Sequence, residues 1–242
     1  MKLNVNSPGY VLVFAAVVST VFTAGIMTLH AVSESAATAS AQLYEQKSLV
    51  DVFKLGANRE LGDREIRDLY EQSIRQLDIP LVDPQTGKAF NSSDPNASPL
   101  SPRTYVARNS GGTIIGYAVP VSGIGFWSRI DGYLAVTSDF STVIGIVFTR
   151  HQETPGLGGR ITEPRWRKQF EGLDITLPGA DKPSIYIGGD KPTSDDSPRH
   201  GRYVDAITGA TGTSSAVNRF LNRDIEAIRR AAREAGLLDN TK

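Results

Sequence analysis

Tyr105-Val106-Ala107-Arg108, Thr113-Ile114-Ile115-Gly116-Tyr117-Ala118-Val119, Gly132-Tyr133-Leu134-Ala135-Val136-Thr137 and Thr142-Val143-Ile144-Gly145-Ile146-Val147-Phe148-Thr149 follow one another along the middle of the chain. Each run is rich in Val, Ile, Tyr and Thr, and Gly and Asp breaks separate them, which predicts four β-strands. An antiparallel meander or half-barrel is the simplest way to assemble them. Downstream, Ser214 to Ala235 reads as a helix. Val217, Phe220, Leu221, Ile225, Ile228, Ala232 and Ala235 mark its apolar face, and its arginines are expected to face solvent. A sheet with a helix packed on it makes the soluble part an α+β domain with an antiparallel sheet flanked by helices.

Around this centre the patterning is coarser. Leu49, Val50, Phe53 and Leu55 form a short apolar patch. Asp63 to Leu77 predicts an amphipathic helix, because Ile66, Leu69, Tyr70, Ile74 and Leu77 recur at three- and four-residue steps before Pro80. Residues 83–103 are loop by composition. Glu163 to Phe170 predicts a short helix with Pro164 in its first turn. Ser184 to Ile187 predicts one more strand, and Asp190 to Arg202 is polar and turn-rich.

From Leu3 to Ser33 there is no Asp, Glu, Lys or Arg. The apolar stretch from Gly9 to Val32 is long enough to cross a bilayer, for which about 20 residues are needed. A cleaved signal peptide is the rival reading, supported by the small residues Ala37-Thr38-Ala39 but opposed by the length of the apolar stretch. The expected division is a cytoplasmic N-terminus (1–8), a transmembrane anchor (9–32), a helical stalk with a flexible loop region (33–103) and a functional domain (104–238). Lys2 precedes the anchor, so the positive-inside bias places the N-terminus in the cytoplasm and the domain outside.

Composition removes several functions. Lysine and arginine total 26, as do aspartate and glutamate, so no basic surface suggests nucleic acid. Absence of cysteine excludes disulfides, cysteine-bound iron–sulfur clusters and a cysteine nucleophile. The three histidines do not form a spaced ligand pair, so no metal site is expected.

The chemistry concentrates in Asp205-Ala206-Ile207-Thr208-Gly209-Ala210-Thr211-Gly212-Thr213-Ser214, just before the last helix. A helix start offers free N–H groups and a partial positive charge, which suits a phosphate. Gly209 and Gly212 permit close approach of a ligand, while Thr208, Thr211, Thr213 and Ser214 supply hydroxyls. The plainer alternative is that Thr213 or Ser214 simply caps the helix.

Asp205 to Thr211 resembles D-x-x-[S/T]-G-A-T, the acceptor motif for covalent flavinylation. It occurs in the FMN-binding domain family of NqrC, from the sodium-translocating NADH:quinone reductase (Nqr), and of RnfG, from the related Rnf complex. Gly125-Phe126-Trp127-Ser128 with Gly132-Tyr133-Leu134-Ala135, and Glu153-Thr154-Pro155-Gly156-Leu157-Gly158, resemble two further segments of that family. The resemblance implies FMN joined by a phosphoester to Thr211, attached by a flavin transferase that recognises Asp205 and Thr208-Gly209-Ala210. It implies redox relay in the bacterial cytoplasmic membrane, with the other proteins of a respiratory complex as partners. The details around Pro120 and Pro164 are more similar to the Nqr protein than to the Rnf one. An Rnf-type protein or a stand-alone electron carrier is the alternative, and a tethered scaffold without flavin is another.

Glu153 and Thr154, with Gly156 and Leu157 of the same loop, are candidates to approach the flavin; the plain reading of the loop is a Pro-Gly turn. Trp127 is a candidate to pack by the ring or, equally, a core residue. No G-x-G-x-x-G fingerprint is present, so the chain alone is not expected to oxidise NADH.

Overall fold

The computed structural model describes residues 7–56, 61–78, 103–176, 184–195, 197 and 199–238, with backbone only for residues 31–38, 78 and 103. The chain divides into two units, Met1–Tyr44 and Glu45–Lys242. Helix α1 (Pro8–Val52) supplies the described part of the first up to Tyr44, and its last turns, from Glu45, belong to the second. Its Pro8–His30 stretch is long and apolar enough to cross a membrane, and none of it is buried. Thr20 and Thr28 donate their hydroxyls to the carbonyls of Ala16 and Ala24, so these polar groups are satisfied within the helix.

The second unit is built on one antiparallel sheet in the order β1-β2-β3-β4-β5. Its strands are β1 (Ile74–Asp78), β2 (Arg103–Arg108), β3 (Ile114–Ile124), β4 (Arg129–Thr137) and β5 (Val143–Arg150). The four strands expected in the centre are all present as a meander. The long pair β3–β4 runs in register from Gly116↔Thr137 to Ile124↔Arg129, leaving Gly125–Ser128 as its connecting turn.

β1 corrects the sequence reading. Helix α2 (Asp63–Ser73) stops at Ser73, and Ile74 to Leu77 pair with Ala107 to Thr104 instead of continuing it. The apolar spacing of Ile74 and Leu77 fits a strand as well as a helix, and pairing with the edge of β2 decides between them. Pro80 and the expected loop over 83–102 lie outside the described residues.

After β5, a 3-10 turn (Gly158–Thr162) leads to helix α3 (Pro164–Arg167), which opens with Pro164 as expected, and a second 3-10 turn (Lys168–Phe170). β6 (Tyr186–Ile187) and β7 (Tyr203–Val204) form a small parallel pair. Helix α4 (Thr211–Glu234) packs on the sheet, with Phe220 against Gly123 of β3. Phe140, Phe170, Ile130, Leu134, Ile161, Leu221 and Ile225 are fully buried and join sheet, turns and helix into one core.

The expectation that the arginines of α4 face solvent fails at Arg229. It is buried and donates to the carbonyl of Phe140, and burial holds its pKa below the ordinary guanidinium value. The helix is covered on more than its sheet face, so one of its polar positions lies inside. Asp224 is buried as well. Ser122 N–H donates to its Oδ2 at 2.8 Å, and Arg223 donates to Oδ1.

Burial pushes the Asp224 carboxyl up to about 6, with Arg223 pulling the other way. A folded-state value above the unfolded one adds stability below the ordinary carboxylate value, and that stability is lost as pH rises through about 6. Urea unfolding of the detergent-solubilised chain at a series of pH values should show this loss between pH ~4 and ~6, on the order of 3 kcal/mol. Asp224→Asn should remove that component of the slope.

Candidate cofactor site

Three segments distant in sequence meet at the start of α4: the β3–β4 turn, the loop after β5 and the turn before the helix. The side chain of Glu153 joins them. Its Oε1 accepts hydrogen bonds from the backbone N–H groups of Phe126 and Trp127, each at 3.0 Å. Its Oε2 accepts from the Thr213 hydroxyl at 2.5 Å. Acceptance at both oxygens suits a carboxylate, and burial to 4% exposure makes such pairing necessary. Space around the carboxylate is kept by glycines. A Cβ on Gly158 would stand 2.6 Å from Oε2 and 2.5 Å from the Thr213 hydroxyl, and one on Gly125 would stand 2.5 Å from Oε1.

The helix begins earlier than the sequence suggests. Thr211 is its first residue and Ala210 its N-cap, with no side chain capping the end. The plainer alternative, that Thr213 or Ser214 simply caps the helix, is therefore not what the structure shows. Both are buried, Thr213 committed to Glu153, and Ser214 Oγ accepts the Ile207 N–H at 3.0 Å. The first intrahelical bond runs from Ser214 N–H to the Ala210 carbonyl. The N–H groups of Thr211, Gly212 and Thr213 thus precede the helical ladder, and no side chain takes them as a cap. Gly209, at φ +80°, turns the chain into this start.

Thr211 is exposed on a cleft of about 160 Å³. One wall is Gly209 to Thr213; the other is Phe126, Trp127, Glu153, Thr154, Leu157 and Gly158. Trp127 is 67% exposed and Phe126 61%, which removes the core reading of Trp127. The two rings meet edge to face at 5.0 Å, and the Trp127 indole N–H donates to the Thr154 hydroxyl at 3.0 Å. A Cβ at Gly212 would lie 2.4 Å from the Phe126 ring, so a larger residue there would displace that exposed ring.

Most of the expected site residues meet here: Thr211, Gly209, Ala210, Gly212, Thr213, Glu153, Thr154, Leu157 and Trp127. Asp205 and Thr208 instead line a separate polar cleft with Arg165 and Gln169. The backbone of Asp205 is pinned there, its carbonyl accepting the Trp166 indole N–H at 2.8 Å and its N–H donating to Gln169 at 2.9 Å. Gly156 sits at the exposed tip of its loop at φ +75°. Sequence reasoning misses Phe126 and Gly158 as site residues. Phe126 is discoverable as the neighbour of Trp127 in an unusual aromatic pair, but nothing local marks Gly158 as spacing Glu153 from Thr213.

Residues 125–226 match the FMN-binding domain family. The match takes in 102 of the chain's 242 residues. The C subunit of the Na(+)-translocating NADH-quinone reductase from Pasteurella multocida (strain Pm70) is 38% identical over 114 residues, covering 47% of this chain and 42% of that protein. Its counterpart from Vibrio vulnificus (strain YJ016) is 40% identical over 114 residues, with the same two shares. The chain thus spans less than half the length of these curated relatives. The crystal structure of Shewanella oneidensis NqrC superposes with a TM-score of 0.60 at 25% identity, covering 79% of this chain and 95% of that one. The corresponding protein from Parabacteroides distasonis gives 0.56 at 26% identity, covering 78% and 94%.

The residues of the matched region suit an FMN group. A phosphate finds a helix start with no side-chain cap, and a flat ring system finds two exposed aromatic side chains across the cleft. Glu153→Ala would leave two backbone N–H groups and one buried hydroxyl without their acceptor. It should lower stability by about 2–4 kcal/mol, measurable by urea unfolding, whereas Thr154→Ala should cost under ~1 kcal/mol because its hydroxyl and the Trp127 indole lie in solvent.

Proposed function

We propose that this chain carries FMN esterified through its phosphate to the Thr211 hydroxyl and passes electrons within a membrane respiratory complex, as a counterpart of NqrC in the Na+-translocating NADH:quinone reductase. The observation that carries the proposal is the position of Thr211. Thr211 stands exposed as the first residue of a helix without a side-chain cap, in a cleft shared by all three segments that resemble the family.

The size of the cleft supports a covalent link. About 160 Å³ is small beside the ~300–1,000 Å³ of pockets that hold a drug-sized ligand by burial. A flavin resting there would stay largely exposed, and an ester retains it where contact area alone would not. FMN supplies the electron chemistry, while the protein orients it and sets its potential. Within this reading, the phosphate lies over the N–H groups of Thr211, Gly212 and Thr213. Asp205 and Thr208 belong to the surface a flavin transferase grips during maturation.

We assign residues 9–32 as a retained anchor, 1–8 as its cytoplasmic lead, 33–103 as stalk and connecting region, and 104–238 as the flavin domain on the outer side of the cytoplasmic membrane. The partners are the other proteins of the complex. Electrons enter and leave through them, since the chain has no dinucleotide fingerprint of its own.

The chain co-expressed with a flavin transferase should give a fluorescent band in a denaturing gel, and the peptide containing Thr211 should carry the mass of FMN less water. Thr211→Ala should abolish both while leaving the fold intact by circular dichroism. A dark wild-type band with an unmodified peptide would reduce the chain to a tethered module without flavin.

A further inference from the structure

We infer that the Glu153 carboxylate sets the reduction potential of the flavin, holding it lower than a neutral side chain at this position would. This rests on the assignment of FMN to Thr211. The loop after β5 forms one wall of the cleft and also brings a buried acidic group to it. Glu153 lines the same cleft as Thr211 and is 4% exposed. Its partners are two backbone N–H groups and one hydroxyl, none of them a cation. Those dipoles stabilise the charge without cancelling it. An anion this buried is also poorly screened by salt.

The position is built to be held. Gly125 leaves room for Oε1 and Gly158 for Oε2, and the three donors come from two different segments. The carboxylate therefore cannot swing away when the charge beside it changes. Reduction of a flavin adds electrons from a donor and draws protons from water. Whatever part of the added negative charge no proton matches is repelled by a fixed anion in the same cleft, in inverse proportion to distance and local dielectric. The oxidised flavin bears no such added charge, so the repulsion falls on the reduced form and lowers the potential.

Glu153 takes the side-chain hydroxyl of Thr213 rather than a backbone N–H of the helix start. It therefore does not occupy the N–H groups that the ester phosphate requires. The potential-setting charge and the anchoring anion use different donors of the same short segment.

The test is a spectroelectrochemical titration of the full-length flavinylated chain in detergent, wild type against Glu153→Gln. Glutamine can still accept from Phe126 and Trp127 and meet the Thr213 hydroxyl, so the brace survives while the charge is removed. The midpoint should shift to more positive potential, with mass-spectrometric flavin occupancy and melting temperature close to wild type. A midpoint unchanged within error overturns the inference. Should Glu153→Gln fail to fold, Thr213→Val serves in its place: it withdraws one donor from the carboxylate and should move the midpoint negative, and an unchanged midpoint again overturns the inference. Wild-type chain without flavin would instead sink the assignment of Thr211, a result distinguishable at the first mass spectrum.

Discussion

One buried carboxylate organises the functional end of this domain. Glu153 binds the aromatic turn between β3 and β4 through two N–H groups and the start of α4 through Thr213. Burial of a carboxylate is tolerated only when its oxygens are paired, and the pairing here draws on segments that are remote in sequence. The aromatic turn can therefore stand out from the sheet in a defined place, and the helix start can stay open, because the groups that support them are satisfied from behind. The glycines on either side belong to the same constraint, since a single Cβ would collide with the carboxylate or with its partner hydroxyl.

The open helix start follows from that arrangement. Thr213 and Ser214 sit where a cap would be sought in sequence, yet each faces inward to a specific partner. Ala210 in the N-cap position has no side-chain oxygen to offer. Backbone N–H groups that a cap would ordinarily answer have no side-chain cap, and the residues that carry them line the cleft with the exposed Thr211. In the proposed reading, this is the place that receives the flavin phosphate. In that reading, the shallow cleft and the exposed rings of Phe126 and Trp127 leave the cofactor accessible for exchange of electrons.

The rest of the domain serves as a rigid support. The meander places the β3–β4 turn at one end of its longest strand pair, and α4 crosses the sheet so that its first turn arrives at the same end. Asp224 and Arg229 are buried polar groups along this helix, tied to Ser122 and to the Phe140 carbonyl. They fix the helix against the sheet and its following turn in a single arrangement. Glu45, near the end of α1, accepts the hydroxyls of Tyr105 and Tyr133 and so joins the last turns of that helix to the sheet.

The four central strands, the apolar helix at the N-terminus and the amphipathic helix at the C-terminus are all legible from sequence. So is the turn of small and hydroxyl-bearing residues before α4. Each rests on local periodicity or composition, which records whether a residue is buried but not against what. Only the tertiary structure decided that Ile74 to Leu77 form a strand, because an edge of β2 was available to pair with them. It alone decided that Trp127 is exposed, that Arg229 is inside and that Glu153 braces the site. These outcomes depend on which distant group answers each donor, acceptor or ring. A one-dimensional pattern carries no information on that choice, because the free energy of a buried polar group is fixed by its partner and not by its neighbours in the chain.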